Sequence, residues 1–208
     1  MVDTNPRKRP VQPRARATVA AILEAAARIL KREGPDGLTT NRVAEVAGVS
    51  IGSLYQYFPT KQAVAAGLVE HLLGRDRELV ARTLGDLGSA SLAEGLAALG
   101  RVMCARQHSV APVLRHLLPL LSELERDALV AREIDAMLAT FGAFVRARRA
   151  ELRAELREDE ALLDDAIFVA GHGVRGALNA AAVDRPERLL DPAFVELLLR
   201  QLRALLIA

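Results

Sequence analysis

The chain has little or none of what several functional classes require. A single cysteine, Cys104, excludes an intrachain disulfide and a cysteine-based zinc cluster, and suits a reducing compartment. Tryptophan is absent and the three aromatic types together make only 3% of the residues, so Leu, Ala, Val and Ile must build the core. An Ala- and Leu-rich mixture of that kind favours helix over sheet. No stretch reaches the roughly 18 uninterrupted apolar residues of a membrane span, and the opening MVDTNPRKRP has no apolar signal segment. A cytoplasmic protein with no membrane partner is expected. A glycine-rich nucleotide loop, a GxSxG elbow and an HExxH pair are also missing, which argues against the common enzyme classes. His71, His108 and His116 lack clustered metal-ligand spacing, so neither a metal nor another cofactor is expected. The acidic pairs Asp159-Glu160 and Asp164-Asp165 sit near an expected helix start, where capping and dipole compensation explain them.

What is present is 208 residues, 51% of them apolar, enough for one substantial domain or a small one fused to a medium one. The net charge of +2 conceals a division: residues 1–61 sum to +5 and residues 62–208 to −3. A basic first part on a mildly acidic remainder suits a polyanion for the first part alone, with chance imbalance as the plain alternative.

Residues 1–16 carry Pro6, Pro10 and Pro13 among five basic residues and show no apolar period, the composition of a flexible arm. Such an arm either lies along DNA or serves solubility. From about Thr18 to Arg32, Val19, Ile22, Ala26, Ile29 and Leu30 share one helical face. Gly34, Pro35 and Gly37 then turn the chain. Thr39 and Thr40 are both N-cap types, with Thr40 expected to cap the helix NRVAEVA. Gly48 is expected to end that helix in the left-handed conformation, and Ser50 to cap a second short helix, IGSLYQY. Leu54 and Phe58 should face inward, and Thr60 should cap a long helix starting at Lys61. Further on, Ser91 and Glu94 form a capping box for a helix to about Gln107, and Pro112 and Pro119 bracket a short segment. Residues 121–156 read as helical, with a break near 125–131 and a solvated, ion-paired arginine face beyond it. Two apolar helices finish the chain, about 161–183 and 192–206, the last with Asp191 as cap and Pro192 at its first position.

The stretch Thr39 to Lys61, TTNRVAEVAGVSIGSLYQYFPTK, carries the functional signal. Its second helix is short and polar outside: Ser50, Gly52, Ser53, Gln56 and Tyr57 surround one apolar anchor, Leu54. Ser and Gln can exchange hydrogen bonds with base edges in a major groove, while Thr40, Tyr55, Tyr57 and Lys61 are placed to hold phosphates. For Tyr55 and Tyr57, covering the small core is the alternative role. The doubled Thr, VAEVAGVS, GSLYQYF and the following Lys closely resemble the DNA-binding signature of the TetR/AcrR family of bacterial transcriptional regulators. The resemblance covers about Thr18 to Leu68.

That resemblance implies an all-α fold of about nine helices. A helix-turn-helix DNA-binding domain at 17–62 follows the arm, and a helical effector-binding and dimerisation domain occupies 63–208. It implies phosphate contacts from Thr40, Ser50, Tyr55, Tyr57 and Lys61. Base readout falls to Asn41, Arg42, Ile51, Gly52, Ser53 and Gln56. Ile51 departs from the polar or charged residues often found at its position, so it either reads a thymine methyl or contributes little. The implied protein is a homodimer joined through the last two helices, a repressor on a palindromic operator of double-stranded DNA, released by a small hydrophobic or amphipathic ligand. Candidates for an effector pocket are Met103, Cys104, His108, His116, Met137 and Phe141, together with Phe144, Phe168, His172, Arg175 and Asn179. Each has a core or interface role as its alternative, and His172 and Arg175 stand out by interrupting an apolar helix. A helical enzyme and a helical module that binds no DNA are the competing functional readings.

Overall fold

The computed structural model describes residues 12–121 and 123–207, with the backbone alone for 123–129. The described residues form nine α-helices: α1 (Pro13–Glu33), α2 (Thr40–Ala47), α3 (Ile51–Tyr57), α4 (Lys61–Gly85), α5 (Leu92–Leu117), α6 (Glu123–Arg146), α7 (Ala154–Glu158), α8 (Glu160–Asp184) and α9 (Pro192–Leu206). They divide into two compact units, one of residues 12–74 and 112–132, the other of 75–111 and 133–207.

In the first unit, α1 buries Ile22, Ala25, Ala26, Ile29 and Leu30 at three- and four-residue intervals, with Leu23 beside them. The helix begins at Pro13, five residues before the expected start at Thr18. Pro13 stands at N1, where its missing N–H costs no hydrogen bond, so it opens the helix instead of marking an arm. The first eleven residues of the expected arm lie outside the described residues. At the other end Gly34 turns the chain with φ 73°, and Leu38 is buried just beyond. The core reaches past the expected boundary at 62, because residues 63–69 of α4 are all buried and join the core formed by α1–α3. Gly67 makes room there, since a Cβ would lie 2.6 Å from Phe58 Cε1. Val113, Leu117 and Leu121 belong to the same core.

In the second unit the capping box at the start of α5 forms as expected: Glu94 N–H donates to Ser91 Oγ at 3.2 Å and Ser91 N–H to Glu94 Oε2 at 2.8 Å. The expected end near Gln107 is not found, because α5 runs through Pro112 to Leu117. A proline there forfeits one helical hydrogen bond, and burial of its neighbours Ala111 and Val113 offsets the loss. The expected break at 125–131 is also displaced: α6 is continuous over it, and the chain turns after Arg146 instead. The reason is long-range. Arg148 donates to the carbonyls of Ala90 (2.7 Å) and Gly88 (2.9 Å), and Glu151 accepts from Leu92 N–H at 2.7 Å, which ties this corner to the start of α5. The arginine face is ion-paired as expected. Arg146 pairs with Glu160 and Asp164, Arg149 with Glu160, and Arg153 with Glu155. Hydrogen bonds from Arg149 and Arg146 hold the Glu160 carboxyl below the usual carboxylate range.

The last two helices follow their predicted limits closely, with Asp159 capping α8 through Leu162 N–H and Asp191 capping α9 through Ala193 N–H. By length and mean hydropathy α8 could cross a membrane. One of its faces, however, buries Leu163, Ala166, Ile167, Ala170 and Leu178 in the cores of the unit. A glycine in this helix serves that packing, because a Cβ on Gly171 would lie 2.1 Å from Leu138 Cδ2.

Candidate nucleic-acid interface

Residues 39–61 form two short helices whose ends are closed by their own neighbours. Thr39, not Thr40, caps α2: its side chain accepts from Arg42 N–H at 3.2 Å. This frees Thr40, whose hydroxyl lies 3.1 Å from that of Tyr55 across the two helices. Gly48 ends α2 at φ 67°, ψ 30°, and Val49 N–H returns to the Ala44 carbonyl at 3.0 Å. Arg28 reaches over from α1 to donate to the Val46 carbonyl at 3.2 Å, a further tie on the last turn. Ser50 then caps α3 through Ser53 N–H at 3.1 Å, and the two serine hydroxyls lie 2.8 Å apart.

Leu54 is 0% exposed and anchors α3, while Ile51, Gly52, Tyr55 and Gln56 are exposed on its other sides. Tyr55 is 43% exposed, so it does not chiefly cover the core. Tyr57 does pack partly against that core. At the start of α4 Thr60 accepts from Ala63 N–H at 3.0 Å, and Lys61 is exposed in the first turn. The candidates therefore gather on α3, the first turn of α2 and the first turn of α4. Asn41 is exposed in that first turn of α2. Arg42 is engaged locally. Its guanidinium meets Glu33 at 2.9 Å and Glu45 at 3.0 Å, and these hydrogen bonds raise its pKa further. The same contact holds the Glu33 carboxyl below its ordinary range.

The effector candidates are not one cluster. His116 belongs to the first unit and the other ten to the second. Phe141 and Phe144 are core residues. Phe144 fills the space left by Gly95, whose Cβ would lie 2.1 Å from it, and the Arg148 guanidinium sits 3.6 Å above its ring. Met103 and Met137 pack at the margin of the same core. Cys104 is buried with Ala111, Leu178 and Leu198, and burial pushes its thiol pKa up. Phe168 is 58% exposed and lies on His172, ring centroids 4.2 Å apart, on an outer side of α8. His108 Nδ1 lies 2.8 Å from the Pro186 carbonyl oxygen. Asn179 accepts from Gln107 Nε2 at 3.4 Å, and Arg175 Nε is buried without a hydrogen-bond partner. Gln107 was missed in the sequence, where it ends a helical stretch and only its burial sets it apart.

Residues 22–68 match the family model for bacterial regulatory proteins of the tetR family. No curated protein sequence matches the chain. Among solved structures, Salmonella enterica GusR is similar with a TM-score of 0.68 at 17% identity, covering 91% of this chain and 95% of its own. A TetR-family transcriptional regulator from Streptomyces coelicolor gives 0.62 at 24% identity, with 90% of this chain and 96% of its own covered. A complex of SmeT with triclosan gives 0.64 at 21% identity, with 92% of each chain covered. The matched segment contains the capped pair α2 and α3, and the likeness in fold extends over nine tenths of the chain. Residues 22–68 thus match the helix-turn-helix DNA-binding domain of the tetR family of bacterial regulatory proteins, and the chain shares its overall fold with these solved structures.

Proposed function

We propose that the protein is a homodimeric repressor that binds a palindromic operator and is released by a small-molecule effector. The observation that carries this reading is the outer side of α3, where Ile51, Gly52, Tyr55 and Gln56 are exposed around a single buried anchor, Leu54. Gln56 and Ser53 read base edges, Ile51 meets a thymine methyl, and Gly52 allows close approach. Thr40, Ser50, Tyr55, Tyr57 and Lys61 hold phosphates, the Thr40–Tyr55 hydroxyl pair acting as one unit. Asn41 takes part in readout from the start of α2. Arg42 takes the lesser part, because binding DNA would require it to leave Glu33 and Glu45.

Dimerisation is supported by an apolar side of α8 that the single chain leaves exposed. Leu162, Val169, Gly176 and Val183 recur at seven-residue spacing, each exposed, with Leu197 exposed on α9. A second copy covering this face gives an isologous four-helix interface. Two heads must then meet successive major grooves, about 34–36 Å apart. An effector bound in the second unit acts on α4, the helix that begins at Lys61 and supplies residues to both units, and shifts the dimer toward a spacing that fits DNA poorly. A small molecule as effector is supported by the neighbouring fold seen with triclosan.

Selection of bound duplexes from a randomised library tests the reading. Inverted half-sites about one helical turn apart are expected, with Gln56→Ala changing the preference at particular base pairs. Failure to retain any duplex overturns the reading and favours a helical enzyme or a module that binds no DNA. A monomer in sedimentation, or a chain that partitions into vesicles, overturns the dimer.

A further inference from the structure

The second unit buries two polar groups that its own packing leaves unserved. Gln107 on α5 is 7% exposed, and its Oε1 has no hydrogen-bond partner among the described residues. Its Nε2 donates to Asn179 Oδ1 on α8 over 3.4 Å. One helical turn before Asn179, Arg175 Nε is buried and also without a partner. Each such group gives up hydration and receives no hydrogen bond in return. Burial lowers the pKa of Arg175, as it must for a cation with no ion pair among the described residues. Elsewhere in the same unit a charge that serves the fold is paired: Arg106, next to Gln107, meets the buried Asp76 at 2.6 Å.

The surroundings are apolar except at Asn179, which is exposed. Cys104 and Ala111, one turn to either side of Gln107, cluster with Leu178 and Leu198, and Met103 and Val174 lie at the margin. The oxygen and nitrogen of an amide exchange places with little change in shape. With both amides turned, Asn179 donates to Gln107 Oε1, and Gln107 Nε2 joins Arg175 Nε as a second donor. A single carboxylate then accepts from both.

We infer that Gln107, Arg175 and Asn179 form the polar end of an effector site whose ligand is an amphipathic carboxylate, its apolar part lying against Met103, Cys104 and Leu178. This rests on the reading of the protein as effector-released. A neutral ligand leaves the half-buried guanidinium without a counter-charge, and a phosphate carries more charge than two donors can serve. The site also has a path to α4. Gln107 and Arg106 are consecutive on α5, and Arg106 grips Asp76 on α4, so a ligand that shifts α5 pulls on that helix.

Titration calorimetry of the full chain with decanoate, hexanoate, phenylacetate, decan-1-ol and decylamine, below their micellar concentrations, tests the inference. At least one carboxylate is expected to bind ten-fold or more tightly than the alcohol and the amine. Arg175→Gln should weaken that carboxylate ten-fold or more and leave the alcohol unchanged, and Arg175→Lys should retain most of the binding. Gln107→Leu supplies an independent loss should an Arg175 variant fold poorly. Without ligand, Arg175→Met should melt no lower than the parent, because it removes a half-buried cation with no ion pair among the described residues. Binding of the alcohol or amine as tightly as the acids, no binding of any acid, or a Met variant that melts far below the parent would overturn the assignment. Carboxylate binding that leaves duplex affinity unchanged supports this site and sinks effector release. Release by the alcohol or amine alone does the reverse.

Discussion

The two units are fastened by interactions of very different reach. In the first, the turns are closed by side chains three residues away: Thr39 on Arg42, Ser50 on Ser53, Thr60 on Ala63. In the second, the deciding contacts join residues far apart in the chain. Asp76 meets Arg106 across 30 positions, Arg148 reaches Ala90 across 58, and Gln107 meets Asn179 across 72. Both units bury apolar anchors, but the buried polar residues among those described, Asp76, Gln107 and Glu133, all lie in the second. Short-range closure fixes the ends of α2, α3 and α4 with few residues. Long-range polar contacts make a body whose helices can be biased by whatever engages those groups.

The contrast can be broken first at its largest expected effect. Arg106→Met leaves Asp76 buried without this cation, and burial already drives the Asp76 carboxyl above its ordinary range. A loss of about 3–5 kcal/mol is expected in urea unfolding, with the double variant Asp76→Leu/Arg106→Met close to the parent. A double variant as unstable as the single one would show that the pair is not the partner that matters. Next, Leu54→Ala removes the only buried side chain of α3 and should cost about 2–5 kcal/mol. Hydrogen exchange should show the loss in α1–α3; equal loss of protection in α8 and α9 would mean that the two units unfold together.

Smaller effects sharpen the comparison. Ser50→Ala removes one local cap and should cost about 1 kcal/mol, with Ser50→Gly costing only about a few tenths. A cost several times larger would mean that the turn depends on more than its local cap. The smallest effect concerns Glu33, whose carboxyl the Arg42 hydrogen bond holds below its ordinary value. A lowered folded pKa stabilises above the unfolded value, and that contribution fades as pH falls through the folded one. Glu33→Gln should therefore slightly flatten the acid limb of a plot of Tm against pH, more at low salt than at high. An unchanged acid limb would show that this exposed pair contributes nothing.

The legible parts of the sequence were those whose physics is local. Gly48, Ser50, Thr60, the Ser91–Glu94 box and Asp191 all act within a few residues, and each was identified from its neighbours. The placement of α2's cap was wrong by one residue because Thr39 and Thr40 have the same side chain, and only the backbone decides which one precedes the helix. Pro13 and Pro112 misled because proline is tolerated at N1 and, where burial offsets it, inside a helix.

By itself the sequence determined an all-helical chain, a capped helix-turn-helix with Leu54 inside and Gln56 outside, and the two apolar helices that end it. These follow from periodicity and capping, which the chain writes residue by residue. Only the tertiary structure decided that Phe144 is core, that Phe168 faces outward, that Arg42 is held by two acids, and that Gln107 Oε1 and Arg175 Nε are buried without hydrogen-bond partners among the described residues. Each of those depends on which distant helix packs opposite, and residue order alone does not state what a side chain will meet across a core.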